Sequence, residues 1–255
     1  KPIAATALMM LYEEGRFQMS DPLYKYLPEL EGIKVKDGLN DDGTPRLVNG
    51  KRPPSMLDVL RHTAGFSSNR HKNYAKVDLT HWEKSTLEEM VSKLAKFPLE
   101  YQPGEKWVYS ISSDVQGRLV EVLSSVSFDE FLEKRLFNRL GMIDTGFTLA
   151  ADKKTRLGPE YKIDDKGLLT PLHGKYRENS PYHTEQYLRP VHFFSGGGGL
   201  VSTAEDYWRF AQIMLDGGEL NGVRVLGPKT IDFMTQDPLQ NIPGMPAGYG
   251  YGLGF

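Results

Sequence analysis

Residues 2–14 constrain the fold more than any other stretch of this chain. Pro2 suits the first position of a helix, and Gly15 is placed to close it. Between them Ile3, Ala4, Ala7, Leu8 and Leu11 supply a wide apolar stripe, and Ala5 thins the helix further. A helix that is apolar nearly all round has to be central, packed between other elements. Lys1 stands at its start, where a cation opposes the helix dipole by up to about 1 kcal/mol. Either the lysine is there for its chemistry or the position carries no significance.

The other end is patterned differently. Tyr249-Gly250-Tyr251-Gly252-Leu253-Gly254-Phe255 alternates large apolar residues with Gly, which predicts a strand still under way at the last residue. Chains seldom start inside one element and stop inside another. The sequence therefore reads as a fragment trimmed at both ends, in which no targeting signal can be assessed.

Capping boxes pairing Ser85 with Glu88, Ser127 with Glu130 and Ser202 with Glu205 predict helices over 87–96, 128–140 and 203–216. Ser55 is placed to cap a short helix stopped near Gly65, and Ser112 or Ser113 to cap one running from Asp114 to Leu123. Asp42-Gly43 and Asn49-Gly50 suggest hairpin turns flanking Arg46 to Val48, and Asp164-Asp165-Lys166-Gly167 another. The long irregular region from Ala150 to Ser195 reads as lining or covering a site.

A net charge of −2 gives no reason to expect nucleic acid or an anionic membrane as partner, and no apolar run is long enough to span a bilayer. With no cysteine there is no disulfide, thiolate nucleophile or Cys-ligated metal, although the compartment stays open. His62, His71, His81, His173, His183 and His192 are scattered without the i, i+4 pairing of a helix-borne zinc site. No metal and no cofactor is expected. His62 reads as structural, a cation at a helix C-terminus. Gly196 to Gly199 read as backbone packed too closely for side chains, with a phosphate cradle as the sharper alternative. No Gly-x-Ser-x-Gly elbow is present, and the acidic pairs read as solvating charge.

Pro103-Gly104 is a turn pair, followed by the β-prone run Trp107-Val108-Tyr109 on a short connection before the next helix. A tyrosine held so can have its ring gripped and its hydroxyl free, as a proton-transfer group requires. The segment order resembles the serine β-lactamase and penicillin-binding superfamily, in its class C β-lactamase and family VIII carboxylesterase branch. The matching pieces are Lys1-Pro2 with its apolar helix, Asp58-Val59-Leu60-Arg61-His62-Thr63-Ala64-Gly65-Phe66, Pro103 through Ser110, Gly197 through Ala204, and Tyr249 through Gly254. They cover almost the whole chain in order.

The resemblance implies an α/β (α+β) fold, an antiparallel sheet flanked by helices with a mainly helical subdomain. Residues 16–190 would form that subdomain, and 1–15 with 191–255 parts of the α/β subdomain, all of it one truncated domain over 1–255. It implies that Lys1 is the lysine of S-x-x-K, its serine three positions earlier, and that Tyr109 is the motif tyrosine. Together they would act as general base and acid for a serine acyl-enzyme. The third motif would lie beyond Phe255. Ile111 falls where β-lactamases carry Asn, and isoleucine cannot hydrogen-bond an amide substrate. With the aromatic loop of Tyr182, Tyr187, Phe193 and Phe194, this favours small or medium acyl esters over β-lactams. Ile111, Phe193, Phe194, Ser195 and Gly196 are the expected substrate-binding residues. The expected function is a carboxylesterase acting on a small-molecule ester or amide. The alternatives are a β-lactamase or D-alanyl-D-alanine carboxypeptidase, or a non-catalytic homologue. The 255 residues alone are expected to hydrolyse nothing.

Overall fold

The computed structural model describes residues 1–67, 85–158, 161–171, 187–239 and 242–255. His71, His81, His173, His183 and Tyr182 lie outside the described residues. Helix α1 (Pro2–Glu13) buries every side chain from Ile3 to Leu11. Leu8 and Met10, which lie about 200° apart around the axis, are 0% and 3% exposed, so the helix is enclosed on both sides as its composition requires. Full burial stabilises each such side chain by roughly 1.5–3 kcal/mol relative to exposure.

After α1 come the hairpin β1 (Lys34–Leu39) and β2 (Pro45–Asn49), then α2 (Met56–Leu60), α3 (Leu87–Leu94) and α4 (Ser112–Ser124). Next come α5 (Phe128–Leu132), a π-helical stretch Glu133–Phe137 and α6 (Asn138–Leu140). The hairpin β3 (Tyr161–Ile163) and β4 (Leu169–Pro171) follows, then α7 (Ala204–Leu215), the pair β5 (Glu219–Leu220) and β6 (Val223–Arg224), and α8 (Pro228–Thr235). The described strands form three separate antiparallel pairs. In the first, Lys34 faces Asn49 and Val35 faces Val48, and the buried Val35 seats the hairpin on the core beside Leu99.

Helix α4 is the main neighbour of α1 and also meets α2, α3 and α5, so it joins the Lys1 helix to the other helices. Gly117 lets Leu87 and Phe128 approach α4, and Phe147 extends the cluster, its ring 5.9 Å from Phe128 and 5.1 Å from Phe194.

Several expectations are corrected. The cap of α3 is Thr86, whose hydroxyl accepts from the Glu89 N–H, and the cap of α7 is Thr203, which accepts from Asp206 N–H; each stands one residue after the serine expected. Ser127 precedes α5 without a side-chain cap bond, whereas Ser55 makes a full capping box with Asp58. The N-cap of α4 is Ile111, and Ser112 and Ser113 lie inside the helix. The run from Phe128 to Leu140 is helical as expected but passes through the π-helical stretch. Tyr249–Phe255 forms no strand. Its glycines mark close approach instead: a Cβ at Gly252 would strike the Met234 carbonyl and one at Gly254 the Ala5 side chain of α1. Among the described residues, no helix is long and apolar enough to cross a membrane.

Candidate active site

Tyr109 is placed by backbone pairing. The segment from Gly104 to Ile111 runs beside residues 62–67, with Gly104 N–H donating to Thr63 O at 2.9 Å, Val108 N–H to His62 O at 3.1 Å and Ile111 N–H to Ser67 O at 3.2 Å. On its other side Trp107 N–H donates to Pro243 O at 2.8 Å. Gly104 turns with φ +86°, a conformation that side-chain-bearing residues rarely adopt, beside the Arg52 guanidinium. The β-prone run is thus extended and bonded on both sides without becoming a strand. Its tyrosine remains 47% exposed on one side and lies against His62 on the other.

The His62 and Tyr109 rings are stacked, centroids 5.0 Å apart at 17°. Trp107 and Tyr251 close the cluster, Tyr251 meeting His62 edge-on at 5.4 Å. His62 is fully buried and receives the Ser110 N–H on Nδ1 at 3.1 Å. An accepting Nδ1 places the ring proton on Nε2. Burial first, and the Lys1 charge second, push the imidazole down to about 3, so it is neutral at pH 7. The expectation of a cationic histidine serving the helix dipole is therefore corrected. Burial pushes the Tyr251 phenol up.

The Lys1 amine lies over the Tyr109 ring, 5.2 Å from its centroid, and donates to the Gly197 carbonyl. Beneath it is Asp114, in the first turn of α4 and nearly fully buried. The Ser195 hydroxyl donates to its carboxylate at 2.5 Å and the Gly197 N–H at 3.1 Å. Burial raises the Asp114 carboxyl, against the pull of those two donors and of the Lys1 charge. The Gly-rich segment is therefore gripped between α1 and α4. A Cβ on Gly196 would collide with the Ser113 carbonyl, and Gly199 N–H is spent on Ser195 O at 3.2 Å. This is the close-packing use of glycine, with the N–H of Gly197 already committed inside the chain.

A cavity of about 170 Å³ opens beside Lys1, walled by Ile3, Ala4, Phe128, Leu132, Leu200 and Tyr207, with Ser195 and Gly196 at its edge. Of the residues singled out in the sequence, Lys1, Tyr109, Ser195 and Gly196 gather around this corner. Ile111 and Phe193 are only 2% and 3% exposed and belong to the core. Phe194 is half-buried, its ring tilted at 56° against Phe147. His62, Asp114 and Tyr251 belong to the constellation and were missed as such. The signal available for Asp114 was an acid directly after two serines in the first turn of a helix. Among the described residues, no group of His, Asp and Glu is arranged to hold a metal ion.

A beta-lactamase family profile matches the chain over residues 1–255. Protein Rv1367c of Mycobacterium tuberculosis (strain ATCC 25618 / H37Rv) is 32% identical over 266 residues, which are 100% of this chain and 63% of the relative. The chain thus spans less than two thirds of the length of that curated relative. Among solved structures, EstCE1, described as a hydrolase with promiscuous acyltransferase activity, superposes with a TM-score of 0.75 at 22% identity, covering 100% of this chain and 66% of that one. Simvastatin synthase (LovD) from Aspergillus terreus gives a TM-score of 0.74 at 22% identity, over 98% of this chain and 66% of that one. At such identities the likeness establishes the fold, which is the α/β architecture of β-lactamases and transpeptidases.

Proposed function

We propose, from the premise that the chain belongs to the beta-lactamase family, matched over residues 1–255, that it forms the lysine–tyrosine part of a serine hydrolase acting on small or medium acyl esters. The observation that carries this reading is the Lys1 amine lying 5.2 Å from the centroid of the Tyr109 ring. Two proton-carrying groups from distant parts of the sequence converge there, on a partly open corner bordered by an apolar cavity.

In the whole protein the serine of S-x-x-K stands three positions before Lys1, one helical turn away and on the same face. Its Oγ attacks the ester carbonyl carbon while its proton passes into the Lys1–Tyr109 pair. The C–O bond to the alcohol then breaks, and the pair returns the proton to the departing alkoxide, leaving an acyl-serine. Water attacks the acyl carbon, gives its proton to the same pair, and the serine leaves with it. Lys1 is held for this by the Gly197 carbonyl, and Tyr109 by the two flanking backbone tracks. Residues 16–190 form the mainly helical subdomain in this reading, with 1–15 and 191–255 in the α/β part.

Ester over β-lactam is supported by the absence of a side-chain amide at position 111, where Ile111 has nothing to hold an amide substrate. EstCE1 is itself described as a hydrolase with acyltransferase activity. The test uses the full-length protein containing this chain. Tyr109→Phe should lower kcat on p-nitrophenyl butyrate at least about a hundredfold. An unchanged kcat would remove Tyr109 from the mechanism. Faster turnover of a chromogenic cephalosporin than of the butyrate would move the assignment to the β-lactamase reading, and hydrolysis of neither would favour a binding homologue.

A further inference from the structure

The proton-transfer reading leaves unexplained why a histidine, rather than an apolar residue, is buried behind the tyrosine. His62 is fully buried, sits at φ +59°, a left-handed conformation uncommon for a non-glycine residue, and has no hydrogen-bond partner on Nε2 among the described residues. An unsatisfied buried donor and a strained backbone are each unfavourable, and sites of that kind gather where function constrains the geometry. Apart from edge contacts with Trp107 and Tyr251 and a 3.2 Å approach of Nδ1 to the Ser110 hydroxyl, two interactions of its side chain bear on one neighbour. Nδ1 accepts the N–H of Ser110, the residue directly after Tyr109, and the ring face lies on the phenol with centroids 5.0 Å apart. His62 O also accepts the Val108 N–H, from the residue directly before it, at 3.1 Å. One residue therefore holds the backbone on both sides of Tyr109 and the ring between.

We propose that His62 is a positioning residue that sets the height and tilt of the Tyr109 phenol under the Lys1 amine, through ring stacking and the bond from Ser110 N–H. This rests on the reading of Tyr109 as a proton-transfer group. The imidazole suits the task because it is uncharged at neutral pH, so it neither repels Lys1 nor competes for its proton. A flat ring also presents a rigid face to the phenol that a flexible aliphatic side chain lacks. His62 touches no reacting atom in this scheme and acts through Tyr109 alone.

Two variants of the full-length protein separate the parts. H62N keeps an acceptor and tolerates the left-handed backbone but removes the ring; H62F keeps a ring and removes the nitrogen. In H62N, kcat on p-nitrophenyl butyrate should fall about thirtyfold with KM within about threefold, the cost of a misplaced group. H62F should retain at least about tenfold more kcat than H62N while having the lower Tm, since it strands the Ser110 N–H. Activity and stability would then rank in opposite order, which a purely structural role does not produce. In the Tyr109→Phe background H62N should cost less than about threefold. A full thirtyfold loss in that background, or kcat that tracks Tm in both variants, overturns the proposal. Tyr109→Phe impaired with H62N unchanged removes only His62, whereas an unimpaired Tyr109→Phe removes the underlying reading. Should neither variant fold, NMR of the unmodified protein decides. Cross-peaks between the His62 and Tyr109 rings, with the proton on Nε2, are expected, and their absence overturns the assignment.

Discussion

His62 has a second consequence at the level of one residue, because its protonation is tied to folding. An unfolded histidine takes up a proton near pH 6.5, whereas in the fold burial, with the Lys1 charge behind it, pushes His62 down to about 3. Between those values the unfolded chain holds the extra proton, so stability falls as pH drops, by up to about 1.4 kcal/mol per pH unit. Asp114 works in the other direction. Its raised carboxyl adds stability at low pH that disappears as pH rises through its folded value. Calorimetry at pH 7, 6, 5 and 4 should show a falling Tm for the natural sequence and a flatter fall for H62N, the two curves drawing together toward acid. Parallel curves would mean that His62 is not the neutral, buried group described. The sequence reading placed a cation at this position. The dipole rule was applied to a helix end without knowing that Trp107, Tyr109 and Tyr251 would wall it off from water.

Among the elements, periodicity was legible and boundaries were not. The apolar stripe from Ile3 to Leu11 announced a central helix, and Asp42-Gly43 and the Asp164 turn announced their hairpins, since each signal is local. The caps of α3 and α7 missed by one residue for a definite reason. Ser85-Thr86 stands three residues before Glu88-Glu89, and Ser202-Thr203 three before Glu205-Asp206, so each site holds two overlapping capping boxes. Nothing local chooses between them. Packing chooses, by burying Ser85 at the start of α3 and by turning the Asp206 carboxylate toward the Asp144 N–H and the Thr145 hydroxyl, both at 2.8 Å. Thr203→Ala should therefore cost about 1 kcal/mol of stability, and Ser202→Ala under about half of that. Denaturant titrations of the two variants check the order, and equal losses would restore the box at Ser202. The strand misread at Tyr249–Phe255 has the same origin. Glycine at every second position signals that no side chain fits, and alternation alone cannot say whether the neighbour is a pleated sheet or the flank of α1.

Over the whole molecule, the corner that holds Tyr109 is fastened to the rest by one carboxylate. Asp58 is fully buried and receives bonds from Arg52, from Arg61 at 3.2 Å, from the Ser55 N–H and hydroxyl at 2.9 and 2.8 Å, and from the Thr63 hydroxyl at 2.9 Å. Burial by itself would raise the carboxyl, but the Arg52 guanidinium and the Ser55 donors together hold it below the usual range. The residues so gathered, 52 to 63, carry the carbonyls of His62 and Thr63 that pin Gly104 and Val108. The route from core to Tyr109 therefore runs through an ion cluster that is buried on the carboxylate side and open on the Arg52 side. Removing the buried charge strands Arg61, only 13% exposed at its side chain, among partners that no longer balance it. Removing Arg52 leaves Asp58 with Arg61 and three hydroxyl or amide donors. Asp58→Asn should accordingly cost about 3–5 kcal/mol, the range for breaking a buried pair from one side. Arg52→Ala, whose guanidinium is already part-solvated, should cost about 1–2 kcal/mol, within the usual range for single substitutions. Urea unfolding of both variants measures the difference. Losses of equal size, or an Asp58→Asn loss below about 1 kcal/mol, would show that the 52–63 segment is held by its apolar contacts alone and that the ion cluster is incidental to how Tyr109 is presented.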